Sequence, residues 1–137
     1  MKPVFLVLVT MMWLGCTDHT FPPKFKVTKE SIIADIQNII KAERIHIEGY
    51  KIPIDDSVSL WLTVGIINPR NLPKDHALVM DMRKRIAVIV KNALKDPYQF
   101  KVYDIGVTYS KVTGENFFMQ KVEAHSIAYG QFDVDEL

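Results

Sequence analysis

Few side chains in this chain can do covalent or acid–base chemistry. There is one thiol, Cys16. There are four imidazoles, His19, His46, His76 and His125, and one adjacent carboxylate pair, Asp55-Asp56, besides Asp135-Glu136 near the C-terminus. A thiol acts as a nucleophile or redox centre when a nearby cation or helix end lowers its pKa, and otherwise serves as an inert or covalently modified group. Paired carboxylates can divide acid and base work if their surroundings separate their pKa values. Two imidazoles on one face of one element can hold a zinc ion, but no H-x-x-x-H or H-E-x-x-H spacing is present. His46 and His125 fall on separate strands and would need an acid from a third place to make a metal site. The plainer reading is exposed or hydrogen-bonded histidines. Asp55-Asp56 follows Pro53 and reads first as a turn, because aspartate accepts hydrogen bonds from neighbouring backbone amides. Ser57, Ser59, Ser110 and Ser126 have no histidine at a suggestive spacing. No Gly-x-Ser-x-Gly elbow, phosphate loop, dinucleotide glycine fingerprint or zinc-type cysteine pair occurs, so no motif assigns catalysis and no cofactor is expected.

Cys16 takes its meaning from what precedes it. Residues 3–15, PVFLVLVTMMWLG, are apolar apart from Thr10, follow Lys2, and give way to Thr17 and Asp18. The run falls short of the roughly 20 residues a membrane-spanning helix needs. A basic start, a short apolar core and a small-residue boundary make a secretory signal peptide. A hydrophobic first strand is the alternative, but Trp13, Leu14 and the two methionines follow no period of two. Ordinary signal peptidase prefers small residues immediately before the cut and two residues earlier. Cleavage after Gly15 meets Trp13 at the second of these, and cleavage after Thr17 puts a threonine at the first. The segment Trp13-Leu14-Gly15-Cys16 instead resembles a bacterial lipobox: Gly15 and Cys16 match, while Trp13 stands where leucine is usual and Leu14 is bulkier than usual. That resemblance implies cleavage before Cys16, diacylglycerol on its thiol, and a lipid membrane as a first partner. Thr17, in place of an aspartate, is similar to the outer-membrane sorting pattern of enteric-type bacteria. The cysteine count agrees, since a lone thiol in an exported chain has no internal disulfide partner.

The rest of the chain has to fold. Residues 1–15 are then signal peptide, residues 16–27 a lipidated cysteine and tether, and residues 28–137 a single domain, a length suited to one core. The chain holds 17 basic and 16 acidic residues, and the leader takes Lys2 with it, so the remainder is balanced and no nucleic-acid partner is expected. Pro22-Pro23 stiffens the tether, which at about 3.1 Å per residue could hold a domain roughly 30 Å from a bilayer. Thr28 can cap a helix that carries Ile32, Ile33, Ile36, Ile39 and Ile40 and runs to about Arg44. Alternation then predicts a strand over 45–54, with a bulge where the phase flips at Gly49. After the Asp55-Asp56-Ser57 turn, Val58, Leu60, Leu62, Val64 and Ile66 mark the clearest strand. A loop over 68–73 leads to a long helix opening at Pro73 or Lys74, with Leu78, Met82, Ile86, Ile89, Val90 and Ala93 inward, and Asp96-Pro97 stops it. Two more strands follow, the first with Phe100 and Val102 inward and a bulge near Asp104, joined by a turn at 112–115; the second runs over 116–129. The tail GQFDVDEL has no evident partner. The fold class is α+β, in the order α-β-β-α-β-β, with two helices packed on one face of a four-stranded, mainly antiparallel sheet.

Two surfaces remain. Arg83, Lys84, Arg85, Lys91 and Lys95 make the second half of the long helix basic, a solvated face before it is a lipid-binding one. Trp61 falls on the polar phase of the clearest strand with Thr63 and Ile67, so it faces away from Leu60 and Leu62. These three residues form a candidate partner surface, unless the tail or the tether, through Phe21 and Phe25, covers that face. Three functions fit: a non-catalytic cell-envelope lipoprotein that docks to an envelope protein, a periplasmic module binding a small molecule or ion, and a small hydrolase using Asp55, Asp56 or His125.

Overall fold

The computed structural model describes residues 19–113 and 121–137, with the backbone alone at 112–113 and 121–129. The leader, Cys16 and part of the turn expected at 112–115 lie outside the described residues. Thr28 is extended and its hydroxyl accepts from the Ser31 amide at 3.3 Å, which starts helix α1 (Lys29–Ile39). Ile32 and Ile36 are its buried positions. The helix stops five residues before Arg44, because the Gln37 side chain grips the chain beyond it. Gln37 Oε1 accepts from the Ala42 amide and Nε2 donates to the Ala42 carbonyl, both at 3.0 Å, so the backbone passes straight into strand β2 (Ala42–Ile54).

β2 pairs with β3 (Ser57–Pro69) in one constant antiparallel register, from Ala42↔Pro69 to Ile54↔Ser57, interrupted at Glu43 and Asn68. The bulge expected at Gly49 is absent. The apparent phase flip has another cause. Residues 20–21 of the expected tether form a short strand, β1 (Thr20–Phe21), on the outer edge of β2. A Cβ on Gly49 would come within 2.6 Å of the Phe21 ring, so an aromatic from the neighbouring strand fills the place of the missing side chain. Phe21 stacks on Phe100 at 5.9 Å, and Phe25 forms a bridge to Leu94. The segment from residue 19 onward is therefore part of the fold.

Helix α2 (His76–Ala93) begins later than Pro73, because Asp75 is the residue whose carboxylate accepts from the Ala77 amide, at 2.7 Å, and from the Leu78 amide. Its buried stripe is Val79, Met82, Arg83, Ile86, Ala87 and Val90; Leu78 is 59% exposed. The helix crosses over the sheet and returns the chain parallel to β3, which makes β3–β4 a parallel pair. β4 (Val102–Thr113) and β5 (Lys121–Asp133) then pair antiparallel. Among the described residues the sheet has five strands, not the expected four, in the order β1-β2-β3-β4-β5, and the β3–β4 pairing makes it mixed.

β4 is regular at Asp104. Its inward residues are Tyr103, Ile105 and Val107, with Val102 on the other side, so the phase is set before the strand begins. The register shift falls instead between Val107 and Thr108, where β5 carries the extra residue. The tail does have a partner: Gly130–Asp133 continues β5, Phe132 and Val134 join the core, and the carbonyls of Val134 and Leu137 accept from Lys91 Nζ at 2.9 and 2.7 Å. Ile32, Ile36, Ile47, Leu62, Val64, Ile66, Ile86, Val90, Tyr103, Ile105 and Val107 are all buried in one cluster between the helices and one face of the sheet.

Candidate functional site: the uncovered face of the sheet

Strand alternation sends every second residue to the side opposite the helices. That face carries His46, Glu48 and Tyr50 from β2; Trp61, Thr63, Gly65 and Ile67 from β3; and Val102, Asp104 and Thr108 from β4, all half-buried while their inward neighbours are sealed. The register sets Trp61 between Tyr50 and Val102, and Thr63 between Glu48 and Asp104. Trp61, Thr63 and Ile67 do share one face. The segments that were to cover it lie elsewhere. Phe21 and Phe25 close the core on the helix side, and the C-terminal turn is tied to α2 through Lys91. Among the described residues, no helix or tail packs over this face.

Two glycines shape its centre. Gly65 and Gly106 are paired across β3 and β4, and the missing side chains leave a depression of about 310 Å³ walled by Arg44, His46, Thr63, Ile67, Asp104 and Thr108. The His46 ring lies across Gly65, where a Cβ would meet it at 2.7 Å. Asp104 is the unusual member of the wall. Burial pushes its carboxyl above the ordinary carboxylate range, and the positive charge of Arg83 only partly opposes this. One of its oxygens, Oδ1, is buried without a hydrogen-bond partner among the described residues. An under-solvated carboxylate costs stability, so its place at the edge of an uncovered surface calls for an explanation. Beside Trp61, the Tyr50 hydroxyl donates to Glu48 at 3.2 Å, and burial followed by that carboxylate raises the phenol's pKa.

One end of the face is fastened by a residue assigned from sequence to a loop. Asn68 adopts φ 53°, in the left-handed region. Its Oδ1 accepts from the Ser110 amide at 2.7 Å, while Nδ2 donates to the Ser110 carbonyl at 2.9 Å and to Glu43 at 2.6 Å. The side chain thus extends the β3–β4 ladder beyond Ile67↔Thr108. Asn68 before Pro69 was a turn signal in the sequence; nothing there showed its partner across the crossover.

The remaining candidates are dispersed. Asp55, at φ 50°, and Asp56 form the exposed two-residue turn between β2 and β3. His19 precedes β1, and His76 opens α2. His125 stands opposite Tyr109 on β5, three strands from His46, a lateral separation of roughly 14 Å at about 4.8 Å per strand before any offset along the strands, too wide for one ion. Among the described residues, no group of three metal-ligating side chains occurs. The basic helix face is smaller than expected. Arg83 is 1% exposed and packs against Gly130, with one guanidinium nitrogen on the Met80 sulfur, and Lys91 is engaged by the C-terminal turn. Lys84, Arg85 and Lys95 are exposed. No helix among the described residues is long and apolar enough to cross a membrane. No protein-family model, curated protein or solved structure matches the chain.

Proposed function

We propose that this protein is a lipid-anchored component of a bacterial cell envelope, sorted to the outer membrane. In this reading, its α+β domain is a non-catalytic docking module whose uncovered sheet face receives an envelope protein. The observation that carries the reading is that face itself. Trp61, Thr63 and Ile67 stand together on it, and among the described residues nothing packs over it and one oxygen of Asp104, in its depression, has no hydrogen-bond partner. Tryptophan buries much area at little entropic cost and is enriched among binding hot spots. The chemistry suits a partner that lays an apolar side chain against Trp61 and Ile67 and brings a cationic donor to Asp104, where desolvation makes an incoming charge count for more.

Two substitutions test it. Cys16→Ser should move the protein from the membrane to the soluble fraction with its fold unchanged, because stable anchoring needs more than one acyl chain and all of them depend on that thiol. A serine variant that still sediments with membranes after a high-salt wash rejects the anchor. Trp61→Ala, in crosslinking from intact cells, should lose the wild-type adduct at an unchanged melting temperature. A destabilised variant that keeps every adduct rejects the docking face. The depression lined by Arg44, His46 and Asp104 supports a second reading, a module that binds a small molecule or ion.

A further inference from the structure

The strands β2 and β3 outrun the rest of the sheet. β4 joins β3 only from Trp61↔Val102 onward, whereas the β2–β3 pairing continues through Lys51↔Leu60, Ile52↔Ser59 and Pro53↔Val58 to Ile54↔Ser57. The last three pairs form a two-stranded arm with Asp55-Asp56 at its tip. Isolated two-stranded hairpins are marginal in water. This one also keeps Val58 62% exposed and Ile54 46% exposed.

The N-terminal segment points along this arm. β1 is antiparallel to β2, with Thr20 opposite Tyr50, and the His19 carbonyl accepts from the Lys51 amide at 2.8 Å. The chain therefore enters the fold from the side of the arm's tip. Only Thr17 and Asp18 separate His19 from Cys16. Three residues of chain reach at most about 11 Å. The arm, from Lys51 to Ile54, is three residues long as well, about 10 Å. The covalent chain thus keeps Cys16 within about 11 Å of His19, far less than the 30 Å an eleven-residue tether would allow.

We infer that the β2–β3 arm is a membrane-contacting element, held with Ile54 and Val58 in the headgroup layer of the bilayer that carries the Cys16 lipid. The inference rests on the proposed anchor and adds the orientation of the domain. The arm meets the lipid, the strands stand away from it, and the Trp61 face is presented sideways above the surface. Exposed Asp55 and Asp56 at the tip suit headgroups that carry an ammonium, and disfavour a surface of anionic lipids.

The test compares two exposed apolar positions at opposite ends of β3. Val58 is on the arm, and Leu78, 59% exposed, is in the first turn of α2 beyond the strand's far end. Val58→Cys and Leu78→Cys are made separately in the full-length protein, lipidated in the cell, and labelled with a nitrobenzoxadiazole thiol reagent. The lipidated Cys16 does not react, so the new thiol takes the label. The proteins are then reconstituted in phosphatidylethanolamine–phosphatidylcholine vesicles that contain a shallow doxyl-lipid quencher. Several-fold stronger quenching at 58 than at 78 is expected, and it should weaken as phosphatidylglycerol replaces the zwitterionic lipid. Flotation with the vesicles but equal quenching at the two positions, or stronger quenching at 78, overturns the arm and leaves the anchor standing. Failure of the wild-type protein to float, or flotation of the Cys16→Ser variant to the same extent, overturns the anchor and the arm with it.

Discussion

Replacing Asn68 separates a hydrogen-bond contribution from a backbone one. Its amide makes two bonds to the Ser110 backbone, at 2.7 and 2.9 Å, across the parallel pair β3–β4. Each such bond contributes about 0.5–1.5 kcal/mol net, and loss of the acceptor leaves the half-buried Ser110 amide without its partner. The third bond, to Glu43, is exposed and adds little. The residue also holds φ 53°, which asparagine and glycine tolerate and alanine pays for at about 1–2 kcal/mol. Asn68→Gly should therefore cost about 1–3 kcal/mol, through the lost clasp alone. Asn68→Ala should cost about 1 kcal/mol more than the glycine variant, since both lose the same bonds. Urea unfolding followed by far-ultraviolet circular dichroism would read the gap as a midpoint about 0.5 M lower for alanine. Equal midpoints for the two variants would refute the strain argument. A loss below about 0.5 kcal/mol in both would refute the clasp.

Three further outcomes follow from the packing. Leu62→Ala, at a fully buried position, should cost about 2–5 kcal/mol, and Thr63→Ala on the other face much less; similar urea midpoints would mean the faces of β3 are reversed. Gly49→Ala should destabilise by driving a methyl group into the Phe21 ring, now 2.6 Å from that point, and Phe21→Ala should relieve part of the cost; additive effects in this double-mutant cycle would deny the contact. Asp104 has its pKa raised by burial, so the native state binds more protons than the unfolded one above the ordinary value of 3.8, and its ionisation lowers stability as pH rises. Asp104→Asn should accordingly raise the melting temperature at pH 7 and give a smaller gain near pH 4, and a gain that grows on acidification would contradict the sign.

The sequence by itself determined the local elements, because their causes are local. Thr28 caps α1 with its own hydroxyl, isoleucine spacing marks its buried stripe, and Leu62, Val64 and Ile66 alternate inward as period-two patterning requires. The same alternation put Trp61, Thr63 and Ile67 on the opposite face. What decides between neighbours was not legible. A break in alternation at Gly49 looks like a bulge, yet it reflects Phe21 arriving from 28 positions earlier in the chain to fill the gap. Arg83 reads as one more cation on a basic helix, and only the packing of α2 against β5 buries it over Gly130. Residues 20–25 read as a linker because prolines and lysines surround them; edge pairing with β2 and the Phe21–Phe100 stack make them part of the fold. The candidate site divides the same way. Side-chain period assigns residues to a face, but whether that face is covered depends on where segments distant in the chain pack, and among the described residues Phe21, Phe25 and the C-terminal turn pack on the helix side. That is a property of long-range contacts, which a one-dimensional pattern does not encode.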